Sequence, residues 1–259
     1  MSADDCSGAL RCITPDGTEW DGEGVGQGIC TQECSTDPSV CDPAGVCLTL
    51  LDGSAFCVES CVQGSVPFSS PDRFPGFHCS GRFEMACVRL DDGGGATVDA
   101  CLPTCTNDLD CGNGFCNEST GTCAATEPMG APMGAACDPQ AIEGGAADPC
   151  EGFCVQIDAG AATQGFCSGL CTLGTFGLPG VCDSNPAMGS VQDAGCLFAS
   201  NATAEVGDLG LCANMCDCNA DCAPGLECVE MPPETVSFTL RAGLCASAGP
   251  SDVVLTTCN

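Results

Sequence analysis

Cysteine spacing constrains this chain more than any other feature. Twenty-nine of its 259 residues are cysteine, and they recur in one phrase, C-x3-C, usually after a small or apolar residue. The copies include GICTQEC, AFCVESC, DACLPTC, GFCSGLC and GLCANMC. Each follows two earlier cysteines across a turn-rich segment, so the cysteines fall into units of four. The units are Cys6, Cys12, Cys30 and Cys34; Cys41, Cys47, Cys57 and Cys61; and Cys79, Cys87, Cys101 and Cys105. Next come Cys111, Cys116, Cys123 and Cys137; Cys150, Cys154, Cys167 and Cys171; and Cys182, Cys196, Cys212 and Cys216. The last is Cys222, Cys228, Cys245 and Cys258, and like the fourth unit it has a stretched final interval. Seven units use all cysteines but one. The x3 spacing makes Cys218 the extra, a candidate free or intermolecular thiol.

A longer repeat lies over the short one, because Cys41 to Cys123 matches Cys150 to Cys245 in order when Cys218 is set aside. This divides the chain into an opening unit (1–36), a three-unit block (37–123), a small-residue linker rich in Ala, Gly and Pro (124–149) and a second three-unit block (150–259). Each unit reads as a β-hairpin. VCLTLLDGSAFC sets β-prone residues on both sides of Asp52-Gly53, and ACVRLDDGGGATVDAC has Asp92-Gly93 at its tip, pairs that favour tight turns. FCNESTGTC is the shortest version and CITPDGTEWDGEGVGQGIC a longer one. The expected fold is a small, disulfide-rich, all-β array: an elongated series of about seven stapled hairpins with little regular helix. Long aliphatic and aromatic side chains are sparse, so several small cores held by covalent staples fit better than one large core.

Hairpin geometry bears on the pairing. Opposed residues have position numbers with a constant sum, and Cys154 with Cys167 shares its sum with Cys150 and Cys171. Cys47 with Cys57, and Cys116 with Cys123, are also placed opposite each other. A crossed bond would span roughly 13 Å of strand, whereas a disulfide joins Cα atoms about 4.4–6.8 Å apart. Nested rungs are therefore favoured, while crossed bonds and bonds between units remain open.

CTNDLDCGNGFC, Cys105 to Cys116, resembles a phrase of cysteine-rich repeat proteins secreted by myxobacteria and related bacteria, and also the cysteine-rich region of dickkopf proteins. CDCNADCAPGLEC and CSTDPSVCDPAGVC are looser matches. The resemblance implies disulfide-rich hairpins and an extracellular setting, and carries over no catalytic residue.

Composition excludes several classes of function. Thirty-five acids against five Lys and Arg give a net charge of −30, a surface that repels phosphates and argues against nucleic-acid partners. No apolar stretch reaches the roughly 18 residues of a membrane span, so no membrane insertion is expected. Dense cysteine implies an oxidising compartment, extracellular or at the cell surface. MSADDC lacks the basic and apolar regions of a signal peptide. The expectation is that a presequence has been removed, the alternative being a disulfide-rich cytosolic protein. With one His, no Lys, no Tyr and no G-x-S-x-G phrase, the chain is expected not to be an enzyme.

Few residues offer binding chemistry. No C-x2-C pair suited to zinc occurs. Asp108, Asp110 and Asn113 are weak calcium candidates in a Gly-containing loop, though Ser119 stands where an EF-hand would need Glu; a solvated acidic surface is the alternative. Residues 67–90 form the one cationic island. There Arg73, Phe74, Phe77, His78, Arg82 and Phe83 are candidate partner contacts, as Arg beside aromatics makes a typical hot spot. The alternative is a loop that packs its own aromatic cluster. Trp20, flanked by acids at a hairpin tip, is a further contact candidate expected to be exposed. Asn117 and Asn201 head glycosylation sequons. The leading reading is a secreted, non-enzymatic scaffold or filament subunit that self-associates. The competing one is an adhesin or ligand-binding module working through residues 67–90, with calcium as the only cofactor considered.

Overall fold

The structure is a computed structural model that describes residues 6, 10–41, 43, 45–65, 79–82, 84–91, 97–105, 107–156, 164–174, 182, 194–199, 203–231, 241–249 and 252–258. It is a small disulfide-rich all-β protein made of hairpins. Unit one pairs β1 (Arg11–Ile13) with β2 (Ile29–Thr31), and unit two pairs β3 (Gly45–Thr49) with β4 (Ala55–Glu59). Unit three pairs β5 (Met85–Asp91) with β6 (Thr97–Pro103), and unit four pairs β7 (Phe115–Asn117) with β8 (Thr122–Ala124). After β9 (Ala136–Cys137) and the short helix α1 (Pro139–Glu143), unit five pairs β10 (Phe153–Val155) with β11 (Gly165–Ser168). β12 (Leu170–Thr172) leads to unit six, β13 (Ala194–Ala199) with β14 (Leu209–Cys216). Unit seven is β15 (Glu227–Glu230) with β16 (Gly243–Ala246).

Turn chemistry sets the hairpins. At the tip of unit two, the Gly53 N–H donates to the Leu50 carbonyl and the Leu50 N–H to Ser54, with Gly53 at φ +87°. This is the three-residue loop in which glycine takes the left-handed position at no steric cost. Asp52 fixes the turn by accepting from both the backbone and the hydroxyl of Ser54.

The hydrophobic interior is divided. Ile13, Trp20, Val25, Phe56, Val58 and Met85 form one cluster across units one to three. Phe166, Ala213 and Leu226 anchor another with Cys216, Cys228 and Cys245. Two further clusters consist of buried cysteines alone, Cys105 with Cys111, Cys116 and Cys123, and Cys137 with Cys150 and Cys167. There the staples themselves take the place of the aliphatic core the composition lacks.

Units also touch out of order. Gly24 of unit one bridges Cys123 of unit four, where the Glu23 carboxylate accepts from Asn117, Thr120 and Thr122. Buried Asp208, beside unit six, accepts from the Gly64 backbone N–H, and Thr172 donates to the Met85 carbonyl. The packing therefore includes more than the nearest-neighbour contacts of a simple solenoid. The small-residue segment between the blocks is hydrogen-bonded in as well: Ala131 exchanges bonds with Pro149 and Glu151, and Cys167 donates to Ala135.

Candidate functional site

The feature most open to functional reading is the covalent ladder and its ends. In all seven hairpins the second and third cysteines are directly opposed: Cys12 with Cys30, Cys47 with Cys57, Cys87 with Cys101, Cys116 with Cys123, Cys154 with Cys167, Cys196 with Cys212, and Cys228 with Cys245. None of these opposed pairs is bonded, so the nested expectation is corrected. The third cysteine bonds the first of its own unit: Cys6–Cys30, Cys41–Cys57, Cys79–Cys101, Cys111–Cys123, Cys150–Cys167, Cys182–Cys212 and Cys222–Cys245. The second cysteine bonds the fourth of the unit before it: Cys34–Cys47, Cys61–Cys87, Cys105–Cys116, Cys137–Cys154, Cys171–Cys196 and Cys216–Cys228.

The backbone shows why. In each of the first six units the chain follows its own hairpin for only a residue or two past the third cysteine and then goes on to lie as a tail against the returning strand of the next. In these six units the fourth cysteine lands opposite the residue two places before the next third cysteine. Cys34 donates its N–H to the Ala55 carbonyl, Cys61 to Asp99 and Cys105 to Gly121. Cys137 pairs with Gly165, Cys171 with Gly210 and Cys216 with Gly243. Glycine serves this receiving position in four of the six junctions. A Cβ at Gly210 would lie 2.6 Å from the Cys196 sulfur, and one at Gly243 2.8 Å from that of Cys228, so a larger residue would obstruct the staple.

Each hairpin after the first thus carries two disulfides side by side. Cysteine triplets such as Cys61, Cys79 and Cys101, or Cys137, Cys150 and Cys167, have sulfurs within 4.8 Å of one another. These sulfurs are oxidised and offer no thiolate to a metal.

The ladder's ends overturn the expectation about parity. Cys218 is not spare: it is buried and bonded to Cys258, with Cα atoms 4.9 Å apart. The free thiol is Cys12, half-buried on β1. It is the second cysteine of unit one, the position that elsewhere receives the preceding unit's fourth cysteine. Spacing alone could not find it, because the second cysteine of a unit bonds the unit before it and not its opposed partner. Around Cys218, the Asp221 carboxylate accepts from the Asp217 and Cys218 N–H groups. The Arg241 guanidinium binds Asp217 and holds its carboxyl below the usual range.

The other sequence candidates separate. Trp20 is buried in the first core rather than exposed. Its N–H and carbonyl both pair with Glu23 across an Asp21-Gly22 turn with φ +52° and +90°. That two-residue turn directs the indole inward while Asp21 stays exposed at its tip. Asp108 accepts from the Cys116 N–H and Asp110 from the Gln27 side chain, so both carboxylates have structural work; Asn113 is exposed. Asp108 also adds to the field of Glu127 at Glu151, whose carboxyl is pushed up chiefly by burial. Arg82 binds Glu84 and donates to the Gly26 carbonyl. Arg89 pairs with Asp99 through two hydrogen bonds and holds that carboxyl below its ordinary range. Arg73, Phe74, Phe77, His78 and Phe83 lie outside the described residues, as do Asn201 and the Asp92-Gly93 tip. The Asn117 side-chain amide donates to Glu23.

Cys47, Cys57, Cys116, Cys123, Cys150, Cys154, Cys167 and Cys171, the staple cysteines singled out by spacing, are all disulfide-bonded, though not to their opposed partners. Among the described residues no helix is long and apolar enough to cross a membrane. No family model matches the chain, and no curated protein or solved structure matches it.

Proposed function

We propose that the protein is a secreted, non-enzymatic structural element: an extracellular scaffold or a subunit of a surface filament or matrix. One observation carries the reading. Seven bonds within units and six bonds between successive units alternate without a gap from Cys6 to Cys245. Every junction is therefore joined twice, by the chain and by a staple, and one peptide cleavage inside a closed loop leaves the pieces attached. Such a ladder resists force and proteases, properties useful outside the cell, where disulfides persist. The density of acids favours solubility of single chains and places the burden of association on uncharged surfaces.

The test compares oxidised and reduced protein under a broad-specificity protease and looks for assemblies by electron microscopy and sedimentation. The oxidised chain is expected to outlast the reduced form by orders of magnitude in time and to form elongated assemblies. Rapid digestion of the oxidised chain, or dispersed monomers at every salt concentration, would overturn the reading.

A further inference from the structure

We propose that the molecule is an extensible element: its covalent ladder lies folded on itself along two polar seams, which open reversibly while every disulfide stays intact. This deepens the scaffold reading and rests on it, adding how the element lengthens.

The seams join units three apart. Between units one and four, Gly24 and Cys123 exchange backbone hydrogen bonds, and the Gln27 N–H and side-chain amide both donate to Asp110. The Glu23 carboxylate accepts from Asn117, Thr120 and Thr122. Between units three and six, the Cys87 N–H donates to the Gly207 carbonyl, and Thr172, on the tail entering unit six, donates to the Met85 carbonyl. Thr172 also shares a hydrogen bond with Thr104, and the Asp208 carboxylate accepts from Gly64, which leads into unit three. Three units is also the period of the longer cysteine repeat, in which units two to four answer to units five to seven.

Neither seam is covalent. The 14 disulfides take every cysteine but Cys12, and none of them links unit one to unit four or unit three to unit six. Nor is either seam apolar. Among the described residues, one hydrophobic cluster spans units one to three, another units five to seven, and a third surrounds Leu173 in unit six. Two more are built of buried cysteines in units three to five. None of these clusters crosses either seam.

This composition decides which contacts part first. Thr104, Thr172 and Asp208 are buried in the closed seam, and opening it trades their protein hydrogen bonds for bonds to water, an exchange of small net cost. No hydrophobic cluster is divided, so the larger penalty of exposing apolar surface is avoided. Disulfides break by attack of a thiolate, and separation of the seams supplies none. The bodies of units one to three and five to seven then move apart, while unit four holds them through Cys105–Cys116 and Cys137–Cys154.

The experiment uses the full oxidised chain with Cys12 blocked by N-ethylmaleimide. Urea is raised in steps while small-angle scattering follows the longest dimension and hydrogen exchange follows single amides. The expected result is a first, reversible transition in which the particle lengthens and the Gly24, Cys123, Cys87 and Gly64 amides lose protection. Amides paired within β3–β4 and β15–β16 keep theirs, and the non-reducing peptide map is unchanged. Thr172→Val is expected to speed exchange at Cys87 and Gly64 about tenfold and leave Gly24 and Cys123 as they were; Glu23→Ala should do the converse. Loss of seam and hairpin protection in one step, a particle that keeps its length until the hairpins open, or variants that weaken both seams alike would overturn the proposal. Assemblies formed by a chain whose seams and hairpins open together would remove the extension and leave the scaffold. A chain that opens in two steps and never assembles would do the reverse.

Discussion

Units four and seven close the two blocks and look alike in sequence, yet they end differently. Both have a stretched interval before the fourth cysteine. Cys137 enters the next hairpin as part of β9, pairs with β11 and bonds the second cysteine there. Cys258 turns back instead: Val254 bridges Val229, Leu255 donates to the Cys228 carbonyl, and the sulfur goes to Cys218. The difference teaches that the partner of a fourth cysteine is set by the strand its tail joins, not by its distance from the third. Where the tail lies on its own unit, an extra cysteine is needed to receive it, and Cys218 fills that need.

Full reduction should erase the comparison and have the largest effect. With two clusters whose fully buried members are all cysteine, reduction is expected to abolish cooperative melting by circular dichroism. A reduced chain that melts as the oxidised one does would mean that the apolar core suffices. Next, the two closures should differ when each staple is replaced by serines. Cys137→Ser with Cys154→Ser opens a buried cysteine cluster and a strand pairing, and is expected to cost about 2–5 kcal/mol in denaturant unfolding. Cys218→Ser with Cys258→Ser should instead release hydrogen-exchange protection mainly in residues 252–258, most of which are exposed or half-buried. Equal global losses would break the distinction.

Acid should separate the regions by a smaller amount. Asp99 and Asp217 are held below their ordinary range, each first by a hydrogen bond from its arginine. Their contribution is present above the unfolded carboxylate value of about 4 and is lost as pH falls through the lowered folded values. Glu151, near the unit-four closure, is raised by burial and by Glu127 and Asp108. It opposes folding at neutral pH, and that opposition fades as pH falls through its raised value. Stability measured from pH 7 downward should therefore gain slightly before it declines; a loss that begins at once would contradict the Glu151 environment. The smallest effect belongs to Arg241→Gln. It should cost under about 1 kcal/mol, because partly exposed ion pairs contribute little, and should return the Asp217 carboxyl towards its ordinary value in an NMR titration.

Much of this was legible in the residues. The four-cysteine units, five of them closed by C-x3-C, marked seven hairpins, and the constant-sum argument placed Cys154 opposite Cys167 and Cys47 opposite Cys57, where the register puts them. The bonds were not legible, because residues opposed in a hairpin need not be bonded and spacing leaves bonds between units open. The third strand that decides the matter comes from the preceding unit, and no spacing within a hairpin encodes it. For the same reason Cys218 drew attention that belonged to Cys12. Trp20 misled differently, since acids on either side in sequence say nothing of a turn that sends alternate side chains to opposite faces. The receiving glycines Gly121, Gly165, Gly210 and Gly243 were a visible signal, each two places before a third cysteine, and would have pointed to an incoming strand.

The central claim is the register of bonding, and non-reducing peptide mapping of the oxidised chain tests it most directly. The ladder predicts peptides joining Cys47 to Cys34, Cys57 to Cys41, Cys137 to Cys154 and Cys218 to Cys258, with the free thiol at Cys12. Peptides joining Cys47 to Cys57 or Cys154 to Cys167, with the free thiol at Cys218, would contradict it.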